Sequence, residues 1–440
     1  MLKLKQNIIT GMFATVVATA VNGQEQTPAA ATPTAPTPAK ASAPFFKFEG
    51  TSLKMGESQH VDFHGFLSQG YLASTDYDYL GTTTDGSFQF TEVGVNATYS
   101  PFNRTRIMVQ GFAFDTGDVG NLQPFLDYAS IEYTANDLIG IRAGRVRKPG
   151  GIYNHIQDVD LARTFVLLPQ GMYDARWRDF STSVDGAVLF GSIPLSKAGS
   201  LSYELFGGYV NLSDEGGVAQ WILDGQPTTT LAGFDSPLTI GGQLWWNTPI
   251  SGLRFGAYIA HMAGFGFDMV TPVSPVGPFG PIAAYTSAES DIWLQQYSFE
   301  YVWNKWTFQA EYSTYKYDGN NTTAVNSGAV PIAPVSVTPS IVNPDVWYAS
   351  AAYRFNSKFE MGTYYTEHYA NKHARSGSPN SSQKDVALSL RFDVKDWWII
   401  KLEGHTIWGT SLLADQANNP NALRTNDPWY MLAVKTTVSF

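Results

Sequence analysis

The chain has 440 residues with no cysteine, 15% of them charged and 14% aromatic, together with 40 glycines and a formal net charge of −10. Soluble domains carry about 25% charged residues, so this chain is short of charge for a water-facing surface; yet past the N-terminus no run reaches the roughly 18 apolar residues of a membrane helix. The acidic balance, without a dominant basic tail or stripe, argues against nucleic acid as a partner. The mixture suits a protein whose outside faces lipid and whose inside faces water.

Residues 1–23 read as a secretory signal peptide. Lys3 and Lys5 precede an apolar stretch from Ile8 to Val21, with small residues at Ala18-Thr19-Ala20 and Val21-Asn22-Gly23. As a membrane anchor that stretch is short, about 14 residues interrupted by Thr and Gly. Residues 24–59 read as an Ala/Pro-rich linker, and 24–44 in particular carry no apolar periodicity with which to build a core. An exported chain without cysteine has no disulfide framework, so backbone pairing must hold it together.

From residue 60 to 440 the dominant signal is a period of two. In chain order it predicts strands near 60–73, 87–100, 105–114, 126–134, 138–146, 183–191, 200–211 and 238–247. The second half continues with 252–262, 291–302, 306–317, 345–355, 358–369, 383–393, 397–408 and 428–440. The last is the clearest: Tyr430, Leu432, Val434, Val438 and Phe440 alternate with Lys435, Thr437 and Ser439. In 397–408, Trp398, Ile400 and Leu402 oppose Lys401, Glu403 and His405. One face of such a strand suits hydrocarbon and the other water. A soluble sandwich also alternates, but its solvent face would be more densely charged. Tyr71, Tyr99, Tyr133, Tyr209, Trp246, Trp293, Trp408 and Tyr430 stand near strand ends on the apolar face, where membrane–water interfaces favour aromatic rings. Short turns at 100–104, 135–137, 247–252, 302–305, 356–357 and 394–396 alternate with long loops such as 212–237, 263–290 and 318–344. The prediction is therefore an all-β, transmembrane antiparallel β-barrel of about 16 strands.

The longest interruption, 147–182, is predicted to fold inward as a constriction loop. A barrel of about 16 strands leaves a wide wet lumen, and Phe165-Val166-Leu167-Leu168 would be poorly placed in water unless packed on the inner wall. Between residues 142 and 178 lie seven basic side chains, Arg142, Arg145, Arg147, Lys148, Arg163, Arg176 and Arg178, against Asp158, Asp160 and Asp174. Guanidinium groups lining a narrow passage would favour anions. Arg145, Arg147, Lys148, Arg163, Arg176 and Arg178 are thus the candidate pore constriction, with Glu92, Glu132 and Glu300 as the opposing lumen wall. The competing assignment is that these cations pair with Asp158, Asp160, Asp174, Asp179 and Asp185 and pin the loop, because buried charges are normally paired.

Gly144-Arg145-Val146-Arg147-Lys148-Pro149-Gly150-Gly151-Ile152-Tyr153-Asn154 resembles the Gly-Arg-x-Lys-x-Pro-x-Gly strand-to-loop junction of the phosphate-selective porin O/P group. The match continues with Asp158-Val159-Asp160, Arg163, Leu168-Pro169 and Arg176-x-Arg178-Asp179. The resemblance implies a homotrimeric channel of the Gram-negative outer membrane, exported through the periplasm. This chain lacks the dense lysine and arginine ladder of a phosphate-selective pore, so small carboxylates fit the resemblance as well as phosphate does. Phe440, with Val438, Val434 and Tyr430 before it, resembles the C-terminal signal read by the barrel assembly machinery.

Other constellations are weaker. His60-x-Asp62-x-His64 lies on one strand face, but i and i+2 positions are roughly 7 Å apart, too far for three ligands to reach one metal easily. No nucleophile elbow, His-Glu-x-x-His or phosphate-cradling loop occurs, so no enzyme, metal or cofactor is predicted. The function expected is passive diffusion of small hydrophilic solutes with weak anion preference. The alternative is a structural or adhesive outer-membrane barrel with a plugged lumen.

Overall fold

The computed structural model describes residues 46–55, 59–117, 119–415, 418 and 424–440. The expected signal peptide, 1–23, and the linker up to residue 45 lie outside the described residues. The end of the expected linker is strand: Phe46–Glu49 and Ser52–Met55 form an antiparallel hairpin whose second arm pairs with 59–62.

A closed antiparallel barrel of 16 strands follows. Its strands are β1 (Gln59–Ser74), β2 (Phe90–Phe102), β3 (Thr105–Thr116), β4 (Phe125–Asn136), β5 (Ile139–Arg147), β6 (Ser183–Pro194), β7 (Ser200–Tyr209) and β8 (Leu238–Asn247). They continue as β9 (Leu253–Ser274), β10 (Ile282–Trp303), β11 (Trp306–Ser327), β12 (Asp345–Asn356), β13 (Phe359–Tyr369), β14 (Ser382–Lys395), β15 (Trp398–Gly409) and β16 (Trp429–Ser439). Each pairs with the next, and β16 closes onto β1 with Val434 opposite Tyr71. Phe440 completes the seam: its N–H donates to the Gly65 carbonyl at 3.0 Å, and the Gly65 N–H returns the bond at 3.1 Å. Closure gives each of the 16 barrel strands a neighbour on both sides, which is what a β-structure in hydrocarbon requires.

The alternation explains which face is which. In β16, Tyr430 and Leu432 are 51% and 43% exposed, whereas Met431, Ala433 and Lys435 between them are 3% exposed or less. Leu205, Ile240, Ile259 and Leu402 are likewise exposed on the outer face, while Gln110, Glu311, Glu403 and Lys401 are buried inside. The apolar surface is thus outside and the polar one within, the reverse of a soluble core.

Two expected loops are corrected. Residues 263–290 and 318–344 are mostly strand: β9, β10 and β11 each run 22 residues, and the β10–β11 ladder is unbroken from Trp303–Trp306 to Ile282–Ser327. A crossing needs only about 9–11 residues, so these strands project far beyond it. There Thr286, Ser287, Asn320, Asn321, Thr322 and Thr323 make both faces polar, which erases the apolar period while backbone pairing continues. Gly264, at φ +68°, sits in the bulge of β9 where the register shifts between Met262 and Phe265. The 212–237 connection holds a helix, Gly217–Leu223, and a short strand, Thr230–Phe234, added to the projecting part of β9.

Candidate functional site: the segment folded across the lumen

The connection between β5 and β6 is the third of the long ones, and it folds into the barrel. Inside, its backbone groups need partners, and five single-turn helical pieces between Asn154 and Ser181 supply some of them. Inward-facing wall side chains supply the rest. Glu403 of β15 accepts from the Val166 and Leu167 N–H groups at 2.8 and 2.9 Å. Glu311 of β11 accepts from the Ile152 N–H at 3.0 Å and the Tyr348 hydroxyl at 2.8 Å. Gln243 of β8 donates to the Gly151 carbonyl at 3.0 Å, and Arg391 of β14 to the Leu161 carbonyl at 2.8 Å. His155 meets Glu204 of β7 at 2.8 Å. The apolar run is buried as its composition requires. Val166 and Leu167 pack with Leu72, Tyr79, Phe90, Ile407, Trp429 and Met431, and Phe165 packs with Tyr364 and Ala387.

Two buried ion clusters pin the segment, one joining its two ends and one at its middle. Asp127 of β4 accepts from Arg147 at 2.6 Å and from Arg178 at 2.7 Å, and Asp158 bonds both guanidiniums from the other side. Asp160 is held by Arg163 at 2.8 Å, Lys435 at 2.9 Å, Lys401 at 3.4 Å and the Thr437 hydroxyl at 2.6 Å. Burial alone would push both segment carboxyls up; Arg178 and Arg147 instead hold Asp158 well below the usual range, and Lys401, Lys435 and Arg163 do the same for Asp160. Among the described residues Asp179 has no such partner, and burial pushes its carboxyl up to about 6.

The six expected constriction residues therefore have different fates. Arg147, Arg163 and Arg178 lie together along the segment but are buried in carboxylate pairs. Arg176 is tied to Asp174 at 2.6 Å. Lys148 is buried, donates to the Phe180 carbonyl at 2.6 Å, and is pushed down to about 8 by burial. Arg145 does not face the lumen. It shares the outer face with Ile141, four residues back, and bonds Asp185, its outward neighbour on β6, at 2.7 and 3.0 Å. The intervening Gly144, at φ +120°, lies so close to the Ala129 carbonyl that a Cβ would meet it at 2.4 Å.

The three expected opposing acids do not form one wall. Glu92 pairs with Lys435 and accepts from Ser68 at 3.1 Å; Glu132 pairs with Arg106 and Arg142 at 2.6 and 2.7 Å; Glu300 pairs with Arg254 at 2.7 Å. A transverse field between loop cations and wall anions is replaced by local pairs. His60 and Asp62 meet at 3.2 Å in an exposed position. Asp127, Lys401 and Lys435 escaped sequence reasoning as anchors. Their inward parity was readable for the two lysines, but the carboxylates they would meet were not.

Two cavities flank the segment. On the turn side one of about 500 Å³ is lined by His64, Gln110, Arg142, Arg147, His155 and Phe440. On the loop side one of about 640 Å³ is lined by Lys148, Tyr173, Arg176, Trp177, Trp221 and Tyr317 among others.

No protein-family model matches the chain, and no curated protein does. Among solved structures it is similar to an anion-selective porin from Comamonas acidovorans, at 11% identity over 87% of this chain and 100% of that one, TM-score 0.49. It is also similar to in-vitro folded OmpT, an outer membrane protein of Vibrio cholerae, at 12% identity over 88% and 98%, TM-score 0.48. A third is the outer membrane channel DcaP of Acinetobacter baumannii, at 11% identity over 87% and 97%, TM-score 0.45. At such identities the likeness is one of barrel architecture.

Proposed function

We propose that this chain is an outer-membrane porin through which small hydrophilic solutes diffuse passively. One observation carries the reading: a closed barrel, apolar outside and densely polar within, has cavities on both faces of a segment folded across its lumen. A polar, charged interior is tolerable in a membrane when water fills it, and a segment held by ion pairs sets the width of the passage. Export by the N-terminal signal, recognition of Phe440 by the assembly machinery and a homotrimeric state belong to the same proposal and rest on sequence resemblance. The weak anion preference expected from the six basic residues becomes a slight one, because the five arginines are each paired with a carboxylate and Lys148 alone has only a carbonyl partner. Small polar or weakly anionic solutes are the expected cargo.

A second reading, a structural or adhesive barrel with a plugged lumen, is favoured by the reach of the segment's anchors, which extend from β4 round to β16. Planar-bilayer recording of the purified protein separates the two. Discrete conductance steps support the porin, and reversal potentials under a KCl gradient should lie close to zero on the anion side. Silent bilayers from correctly folded protein would establish the plug.

A further inference from the structure

The outer face carries a basic patch in a chain whose net charge is −10. Between Ala370 and Lys384 the sequence supplies Lys372, His373, Arg375 and Lys384 and no acid; the stretch is the loop-side connection from β13 to β14 with the first residues of β14. Lys384 lies on the outer face, because Gln383 and Asp385 on either side of it are turned inward and only 4% and 9% exposed. Arg375 lays its guanidinium on the Tyr369 ring, 3.9 Å from the centroid, and the Lys372 ammonium donates to the Thr314 hydroxyl of β11 at 3.0 Å. The three cations thus rim the loop-side ends of β11 to β14.

Their partners do not use them up. Arg375 bonds Asp345 at 2.8 Å and Lys384 bonds Glu367 at 3.1 Å, yet the two basic side chains stay 49% and 41% exposed. Among the described residues, the Lys372 ammonium meets no carboxylate. Three cations over two carboxylates leave the rim positive, with donors turned outward.

The same face runs straight into the apolar band. Val386 and Leu388, two and four residues along β14 from Lys384, are 39% and 51% exposed. Aromatic groups mark the boundary: Glu367 accepts from the Trp347 indole at 3.2 Å and the Tyr365 hydroxyl at 2.6 Å, and Trp408 stands opposite Lys384. Trp and Tyr favour the headgroup level of a membrane, so the cations beside them sit at the height of lipid headgroups. Below them the outward positions of β12 and β13 are small, Ala349, Ala351 and Thr363, beside Leu388, where an acyl chain can lie. A soluble anion would use only the cations and a neutral lipid only the apolar face. A lipid with phosphate on its headgroup uses both, and phosphate oxygens suit the guanidinium fork and the two ammonium groups.

We propose that this patch binds the phosphate-bearing headgroup of an outer-leaflet lipid, with the acyl chains lying against β12 to β14. The proposal goes beyond the porin reading and rests on it only for a membrane in which the loop side faces outward; lipid binding needs no conductance.

The test is titration of the folded, detergent-solubilised barrel with diphosphoryl lipid A, with the same lipid stripped of both phosphates, and with inorganic phosphate, read by native mass spectrometry. Wild type is compared with two double variants. Lys372→Gln with Arg375→Gln strips the loop-side rim, and Lys197→Gln with Lys305→Gln removes the same charge from exposed turn-side positions. All four residues lie in connections rather than strands, so both variants should fold, which heat-modifiable migration on a gel verifies. Diphosphoryl lipid A should bind wild type and the turn-side variant alike, and the loop-side variant roughly thirtyfold more weakly, the share of two cations at a lipid surface. Unchanged binding by the loop-side variant, equal losses in both variants, or undiminished binding of the dephosphorylated lipid would overturn the proposal. Inorganic phosphate binding as tightly as the lipid would overturn it too, since the apolar face would then contribute nothing. Lipid binding by a barrel that never conducts would leave this site standing and remove the porin reading; conductance without lipid binding would do the opposite.

Discussion

Replacing Asp127 by Asn removes one negative charge from a cluster of two carboxylates and two guanidiniums. The side chains of Asp127 and Asp158 are 0% and 2% exposed, and those of Arg178 and Arg147 only 6% and 11%. Asn keeps the shape and can still accept, but it leaves two buried guanidiniums sharing Asp158. Breaking a buried pair by removing one partner costs about 3–5 kcal/mol, and each 1.4 kcal/mol or so is tenfold in an equilibrium. The docked-to-undocked ratio of the Arg147–Arg178 end should therefore fall by roughly two to three orders of magnitude. The barrel should survive, because the backbone ladder does not pass through Asp127's side chain and the Glu311, Asp160 and Glu403 anchors remain. Single-channel recording should show larger or noisier open steps than wild type and a reversal potential shifted toward anions, since one guanidinium charge is no longer met. Identical conductance, noise and selectivity in a heat-modifiable, folded D127N protein would refute the claim that this cluster holds the segment in the lumen.

Arg145→Ala should leave conductance and selectivity unchanged, because the side chain lies on the outer face with Asp185; a selectivity change in bilayer recording would put it back in the lumen. Val166→Asp places a charge where the wild-type side chain is 0% exposed, on the buried wall side of the segment, and should expel it, raising conductance several-fold in a folded barrel. Asp179 provides a pH dependence. Its carboxyl is raised from 3.8 to about 6 in the folded protein, so its contribution is fully favourable below about pH 4 and is lost as pH rises through 6. Limited proteolysis of the loop side should accordingly be slower at pH 4.5 than at pH 7 relative to Asp179→Asn, which should show no such step.

How much could be read in advance differs between wall and lumen. All sixteen strands were legible, because lipid outside and water inside impose a two-residue period that local composition carries, as in Tyr430, Leu432 and Val434 against Met431, Ala433 and Lys435. The reading failed where that asymmetry ends. Beyond the apolar band, the Thr- and Asn-rich arms of β10 and β11 have water on both sides, and nothing in their composition separates a projecting ladder from a loop. The inward segment was legible from Phe165-Val166-Leu167-Leu168, an apolar run with nowhere to go but the wall. The fate of its cations was not. Arg178 meets Asp127 across 51 residues of sequence, and Lys401 meets Asp160 across 241.

The opening composition, short of charge and rich in aromatics and glycine, therefore determined the barrel, its inside-out polarity and the segment too apolar to stay outside it. These follow from periodicity and solvent preference, which are local. Whether an arginine lines a pore, pins a loop or faces outward depends on which carboxylate closure of the barrel brings within hydrogen-bonding reach. That distance is set by sixteen strands acting together, and so it belongs to the tertiary structure alone.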